Sequence, residues 1–222
     1  APCGRARRRK VSQPCKVQTN AHETMGLQHQ PHDYVDFGVA FATVATLETR
    51  PDRLAHFRAQ RFVKSVREVV QSKDAASPVD GCFAAHIAMW RLGATEAPRE
   101  PQVCFEDDAT WSSAATASLA VRKRAAEAVR LVQAHFPAYD IIYLGGIPLT
   151  YSTGHVESGV PGVLQCKVTE AHAYILSPAF RARLLQTPVR GQVDWWLARH
   201  AGQSFFINPE LVVQDPDMGS DV

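Results

Sequence analysis

The chain has 222 residues, of which 45% are hydrophobic and 21% charged, enough to build a globular core. No run of about 18 uncharged apolar residues occurs, so no membrane-spanning helix is expected. The net charge of +2 is unevenly shared. Residues 1–34 carry six basic side chains against Glu23 and Asp33, giving +4, while the remainder carries 18 basic and 20 acidic groups, giving −2. A nucleic-acid-binding domain more often carries its positive charge on the folded part, so nucleic acid is not the expected principal partner.

The five cysteines (Cys3, Cys15, Cys82, Cys104, Cys166) are odd in number and widely spaced, without a CxxC pair. They read as reduced, mostly buried thiols, with Cys82, Cys104 and Cys166 in apolar surroundings. The leading segment lacks the apolar stretch of a secretory signal, and a cytoplasmic location is the simplest expectation. Residues 1–36 are basic and poor in large apolar groups. They read as a flexible or partner-bound arm ahead of a domain spanning 37–222.

Residues Phe37 to Leu47 are apolar and β-branched, the pattern of a buried strand. Pro51 and Asp52 then suit the first turn of a helix whose apolar face holds Leu54 and Phe57. Val66 to Val70 reads as a short strand, and residues 74–80 as a loop. Asp80 suits the N-cap of a helix running from Gly81 to about Leu92 and ended by Gly93. Cys82, His86 and Trp90 fall at i, i+4 and i+8 and share one face of that helix.

Gln102 to Phe105 is a strand running into Glu106-Asp107-Asp108. Residues 113–136 form a long amphipathic helix, with Leu119, Val129, Val132 and Phe136 as inward candidates. Asp140 to Leu144 is a strand closed by Gly145-Gly146, and 147–162 a long loop of the kind that often carries function. Strands follow at Val163–Val168 and Ala171–Leu176, helices at Pro178–Leu185 and Val193–His200, and an extended segment at Phe205–Val213. Alternating strands and helices imply an α/β layered fold with a largely parallel sheet.

Three adjacent carboxylates at a strand end repel one another, and a cation there would relieve them. If the chain stays extended, Glu106 and Asp108 point to one side and Asp107 to the other. Two such oxygens suit a hard ion, Mn²⁺ or Mg²⁺. The strand ends of open α/β sheets are also where ligands bind. A solvated acidic turn is the plain alternative. Arg50 and Arg53 could hold phosphate or ribose oxygens, or belong to a surface loop capped by Asp52. His86 reads as a hydrogen-bonded structural residue. Its spacing from Cys82 would also allow zinc, for which the sequence offers no further Cys/His cluster. Asp194 beside Trp195 and Trp196 combines a proton acceptor with faces that stack on sugars, or else is a helix-start Asp with core tryptophans.

The order of these elements resembles glycosyltransferase family 25. Leu47-Glu48-Thr49-Arg50-Pro51-Asp52-Arg53 resembles its "NL-x-x-R-x-DR" motif, and Gly81 to His86 its "GC-x-x-SH". Cys104 to Ala109 resembles "(I/L)LEDDA", Tyr139 to Gly145 "WDI(I/V)-x-LG", and Thr169 to Ser177 "GT-x-AY-(I/V)-x-S". Pro188-Val189 with Val193 to Leu197 resembles "PVD-x-WL", and Pro209, Gln214 and Ser220-Asp221-Val222 echo the family's ending. Thr46, Ala85 and Val168 stand where the family has Asn, Ser and Gly, and three extra residues separate Val189 from Val193.

The resemblance implies a GT-A-type, Rossmann-like α/β/α sandwich with a mostly parallel mixed sheet. It implies an inverting transferase that moves a hexose, galactose or glucose, from a UDP-sugar to a hydroxyl of a glycan or protein acceptor. Glu106 and Asp108 would hold Mn²⁺ or Mg²⁺. Thr46, Glu48, Arg50, Arg53, His86 and Asp107 would contact the donor, with Asp194 as the base and Trp195 or Trp196 facing the acceptor. His172 or His200 would supply a late histidine ligand. The alternatives are a catalytically weak nucleotide- or glycan-binding module, and a nucleic-acid-binding protein acting through its arm.

Overall fold

A computed structural model of the chain describes residues 34–72, 77–149, 156–188 and 191–219. Residues 1–33 of the basic arm, 73–76, 150–155 of the long polar stretch, Val189 and Arg190, and the terminal Ser220-Asp221-Val222 lie outside the described residues. Val35 and Phe37 are already buried in the core.

The main sheet has the order β2-β1-β3-β8-β5-β9-β7-β6. It is built from β1 (Phe41–Leu47), β2 (Arg67–Gln71), β3 (Gln102–Glu106), β5 (Ile141–Pro148), β6 (Val156–Glu157), β7 (Val163–Gln165), β8 (Val168–Leu176) and β9 (Ser204–Ile207). β1 pairs in parallel with β2 and β3, and β5 with β9, whereas β8 runs antiparallel between β3 and β5. β7 is antiparallel to both β9 and β6. All strands except β8 and β7 therefore point the same way, as the expected mostly parallel mixed sheet requires.

Side chains alternate between two cores, as the two-residue period of a strand dictates. Val44, Val103, Phe105, Ile142, Leu144, Ile175 and Phe205 face one side. There they meet Phe57 of α1 (Pro51–Gln60), Ala115 of α3 (Ser113–Ala117) and Val129 and Val132 of α4 (Leu119–His135). Cys104, Ile141, Tyr143, Tyr174 and Phe206 face the other side. They pack on α2 (Pro78–Glu96), α5 (Pro178–Gln186) and α6 (Val193–His200), through Phe83, Trp90, Phe180 and Trp196. A buried aromatic of this kind contributes about 2–3 kcal/mol. Helices on both faces of one sheet make an α/β/α sandwich.

Several boundaries differ from the sequence reading, each for a local reason. Ser77, not Asp80, caps α2: its side chain accepts from the Asp80 N–H, and Pro78 occupies the first helical position. Gly93 lies inside that helix rather than ending it, and a Cβ there would collide with the Gln102 side chain. The single long helix expected over 113–136 is broken at extended Ser118, which leaves Leu119 exposed while Val129 and Val132 are buried. β5 runs on through Gly145 and Gly146, and a side chain at Gly145 would collide with the Val212 carbonyl and the His172 ring. The final extended segment is two strands. After β9 the chain turns at Asn208-Pro209 and returns as β10 (Val212–Gln214), which pairs antiparallel with β4 (Ala109–Trp111) just after the acidic triplet.

Among the described residues no helix is long and apolar enough to cross a membrane.

Candidate active site at the end of β3

Glu106 ends β3 on the α2 side of the sheet, where the His86 ring waits. His86 Nε2 lies 3.1 Å from Glu106 Oε1. The chain then turns at Asp107-Asp108 rather than staying extended. Asp107 points to the end of β1 and to α1. Thr46 Oγ1 donates to Asp107 Oδ2 at 2.7 Å, and Arg53 Nη1 lies 3.3 Å from Asp107 Oδ1. Asp108 is drawn toward β10: Gln214 Nε2 donates to its Oδ2 at 2.7 Å, and Arg53 Nη1 stands 3.5 Å from the same oxygen.

Arg53 is thus a buried cation between two of the three carboxylates, and much of their repulsion is offset by a side chain. It is not the surface residue of a capped loop. Arg50 instead pairs with Asp52, at 2.9 Å. Both arginines also donate to carbonyls of the short 3₁₀ turn Pro216–Met218 and the residue after it: Arg50 to Met218 at 2.8 Å, and Arg53 to Met218 and Gly219. The segment following β10 therefore lies over these two arginines. Glu48, expected at the donor, is exposed in the turn after β1.

Burial raises Asp108 to about 6, and the neighbouring Glu106 charge adds to this against Gln214 and Arg53. Burial also raises Asp107, opposed by Thr46 and Arg53. For Glu106, burial alone would act upward, but the His86 ring, with His172 and Arg53 beyond it, overrides this and holds it below the usual carboxylate range. Burial would lower His86, but its hydrogen bonds with Cys82 and Glu106 raise it. Asp108 Oδ1 is buried without a hydrogen-bond partner among the described residues.

Glu106 opens onto a cleft of about 340 Å³. Thr169, Glu170 and His172 from the start of β8 and Asp194 and Trp195 from the start of α6 line its other walls. Asp194 Oδ2 accepts from the Glu170 N–H at 3.0 Å. Glu170 itself adopts a left-handed conformation (φ 53°), a strained setting for a residue with a side chain. Trp195 is 56% exposed, whereas Trp196 is buried and stacks on Trp90 with 5.9 Å between ring centroids. Of the two tryptophans only Trp195 can meet a ligand. His172 lines the cleft and donates from Nε2 to the Val212 carbonyl. His200 sits at the far end of α6 with Nδ1 against the Trp196 carbonyl.

Cys82, expected in apolar surroundings, is half-buried on the cleft wall, while Cys104 and Cys166 are buried. Among the described residues one group of three side chains has metal-ligand geometry: Cys82, His86 and Glu106, whose ligand atoms all lie within 4.8 Å of one another. The sequence showed the first two at helical spacing but not the third, which the β3–α2 packing delivers. Gln214 and Tyr174 as partners of site residues were also not legible from residue type.

No family model and no curated protein matches the chain. Among solved structures it is similar to A197 from STIV over 75% of this chain and 80% of that one, with 8% identity and a TM-score of 0.47. It is also similar to UDP-glucose pyrophosphorylase complexed with UDP-glucose over 75% of this chain and 71% of that one, with 16% identity and a TM-score of 0.35.

Proposed function

We propose that the chain is a sugar-nucleotide-dependent, inverting glycosyltransferase of the GT-A type, passing a hexose from a UDP-sugar to a hydroxyl of a glycan or protein. The main support is that two carboxylates line one cleft: Glu106 at the end of β3, and Asp194 beside exposed Trp195 at the start of α6. The collinear motifs that resemble family 25 point the same way.

In this reading Asp194 takes the proton of the acceptor hydroxyl as the new glycosidic bond forms. Its hydrogen bond to the Glu170 amide keeps the carboxylate aimed from the helix start. Trp195 offers its face to a sugar ring. Thr46 and Arg53 order Asp107 at the donor side. The orphaned Oδ1 of Asp108 and the oxygens of Glu106 are a hard donor set that fits Mn²⁺ or Mg²⁺. Such an ion would offset the charge that builds on the departing diphosphate.

The experiment is a panel of nucleotide sugars screened by thermal shift with and without Mn²⁺, followed by a UDP-release assay on those that stabilise the fold. Stabilisation that needs the metal, with UDP released, supports the reading. No stabilisation by any donor sinks it. Stabilisation without release would favour a second reading, a nucleotide- or glycan-binding module. The observation behind that reading is that Arg53 already pairs with Asp107 and Asp108 and is covered by the Met218 and Gly219 carbonyls.

A further inference from the structure

We propose that Cys82, His86 and Glu106 form a site for a thiophilic divalent ion of the zinc class, with an open coordination position toward the cleft. This is a different site from the hard-ion set of Asp108 and Glu106, although it shares Glu106.

The ligand chemistry is the first reason. One thiolate, one imidazole and one carboxylate suit Zn²⁺ or Co²⁺ and not Mg²⁺ or Mn²⁺, which prefer all-oxygen sets. Cys82 and His86 stand one helical turn apart on α2, and Glu106 closes the triangle from β3, with its Oε1 3.1 Å from His86 Nε2. Tetrahedral zinc holds such atoms about 3.3–3.7 Å apart. The three ligand atoms already lie within 4.8 Å of one another, and Cys82 is only half-buried.

The surroundings are the second reason. His86 is buried, and its other nitrogen, Nδ1, lies 2.6 Å from the Tyr174 hydroxyl, which accepts from Trp90 Nε1. With Nδ1–H donating to Tyr174, Nε2 presents its lone pair toward Cys82 and Glu106. This outer contact is of the kind that orients metal-bound histidines. Without an ion, the same position is filled by the Nε2 proton, shared with Glu106. Ion binding therefore releases to solvent any proton that the ligand atoms carry. The thiolate and carboxylate together balance the ion's two charges.

The third reason is access. Cys82 and Glu106 both line the cleft, whereas His86 lies behind them. Three protein ligands with a fourth position facing a cavity is the arrangement of sites that take a water or a substrate oxygen.

The test uses Co²⁺ as a spectroscopic probe on the purified, chelator-treated full chain with no donor present, so it is independent of the glycosyl-transfer reading. The expected result is one equivalent of Co²⁺ bound, with a thiolate-to-cobalt charge-transfer band that Zn²⁺ bleaches and excess Mg²⁺ does not. Cys82→Ser should lose the band and weaken Co²⁺ binding at least tenfold, while Asp108→Asn should keep both. Absence of the band in the wild-type chain, or a band that persists in Cys82→Ser, overturns the proposal. Should His86→Gln or Glu106→Gln fail to fold, the comparison of Cys82→Ser with Asp108→Asn still decides it.

Discussion

The Tyr174 hydroxyl lies 2.6 Å from His86 Nδ1, and the two rings stack with centroids 5.8 Å apart and 13° between planes. Tyr174 is fully buried and also accepts from Trp90 Nε1 at 3.1 Å. Removing the hydroxyl with Tyr174→Phe leaves two buried nitrogens without a partner, a loss of about 1–3 kcal/mol. Urea denaturation followed by tryptophan fluorescence should show a lower midpoint with an unchanged slope. A midpoint equal to the wild type would mean that the hydroxyl does not hold His86 in place.

Arg53 is the only cation that both Asp107 and Asp108 meet within 4 Å among the described residues. Arg53→Met keeps the bulk and removes the charge. Two buried carboxylates then lack their counterion, and the expected cost near neutral pH is about 3–5 kcal/mol. The cost should shrink in acid, because protonated carboxyls no longer need a cation. A loss that does not change with pH would assign Arg53 a packing role instead.

Asp108 is raised from 3.8 to about 6 by burial and by Glu106. The native state therefore holds the Asp108 proton more tightly than the unfolded chain does. The stability this gives is fully present below the unfolded value and is lost as pH rises through about 6. Above that, the ionised group destabilises the fold. Asp108→Asn should thus be more stable than wild type by on the order of 2 kcal/mol at neutral pH in the absence of divalent ions. The difference should fade toward zero below about pH 4. Melting temperatures across this range for both proteins check the sign. A variant less stable than wild type at neutral pH would show that the Arg53 and Gln214 contacts outweigh burial.

Trp195 and Trp196 are neighbours in sequence with opposite surroundings. Trp196→Ala should cost about 3–5 kcal/mol, since it empties the stack on Trp90 beneath α6. Trp195→Ala should change stability by less than about 0.5 kcal/mol, as expected for an exposed position. If a sugar stacks on Trp195, that variant raises the acceptor KM while leaving donor binding intact. Isothermal denaturation and acceptor titration measure the two effects separately.

Asp194→Asn retains a carbonyl oxygen to accept from the Glu170 amide, so the cleft wall should stay formed. It cannot accept a proton at neutral pH. With a donor identified, transfer should fall about a hundredfold to ten-thousandfold, with donor affinity unchanged. Wild-type turnover in this variant would place the base elsewhere.

β1, β3, β5 and β8 are written in the sequence as near-continuous apolar runs, since each strand needs apolar side chains on both faces of a covered sheet. The α6 bounds were legible to the residue, because Gly191-Gln192 and Gly202 flank an apolar run of helical period. The start of α2 was misread because two capping residues, Ser77 and Asp80, stand three apart, and only the first can sit outside the helix while accepting from the other's N–H. The site was legible as residue types: acidic triplet, helical Cys82/His86 pair, Asp194 beside tryptophans. Which carboxylate faces which partner was not, because that depends on a two-residue turn after Glu106 and on the return of β10 beside β4.

By itself the sequence determined what each segment can bury, through apolar period and turn chemistry that act over a few residues. Only the tertiary structure decided that Arg53 would reach Asp107 and Asp108, that Glu106 would meet Cys82 and His86, and that Trp195 rather than Trp196 would face the cleft. Charges and ligands converge across tens of residues of chain, and their partners are set by which strand and helix ends the packed core brings side by side.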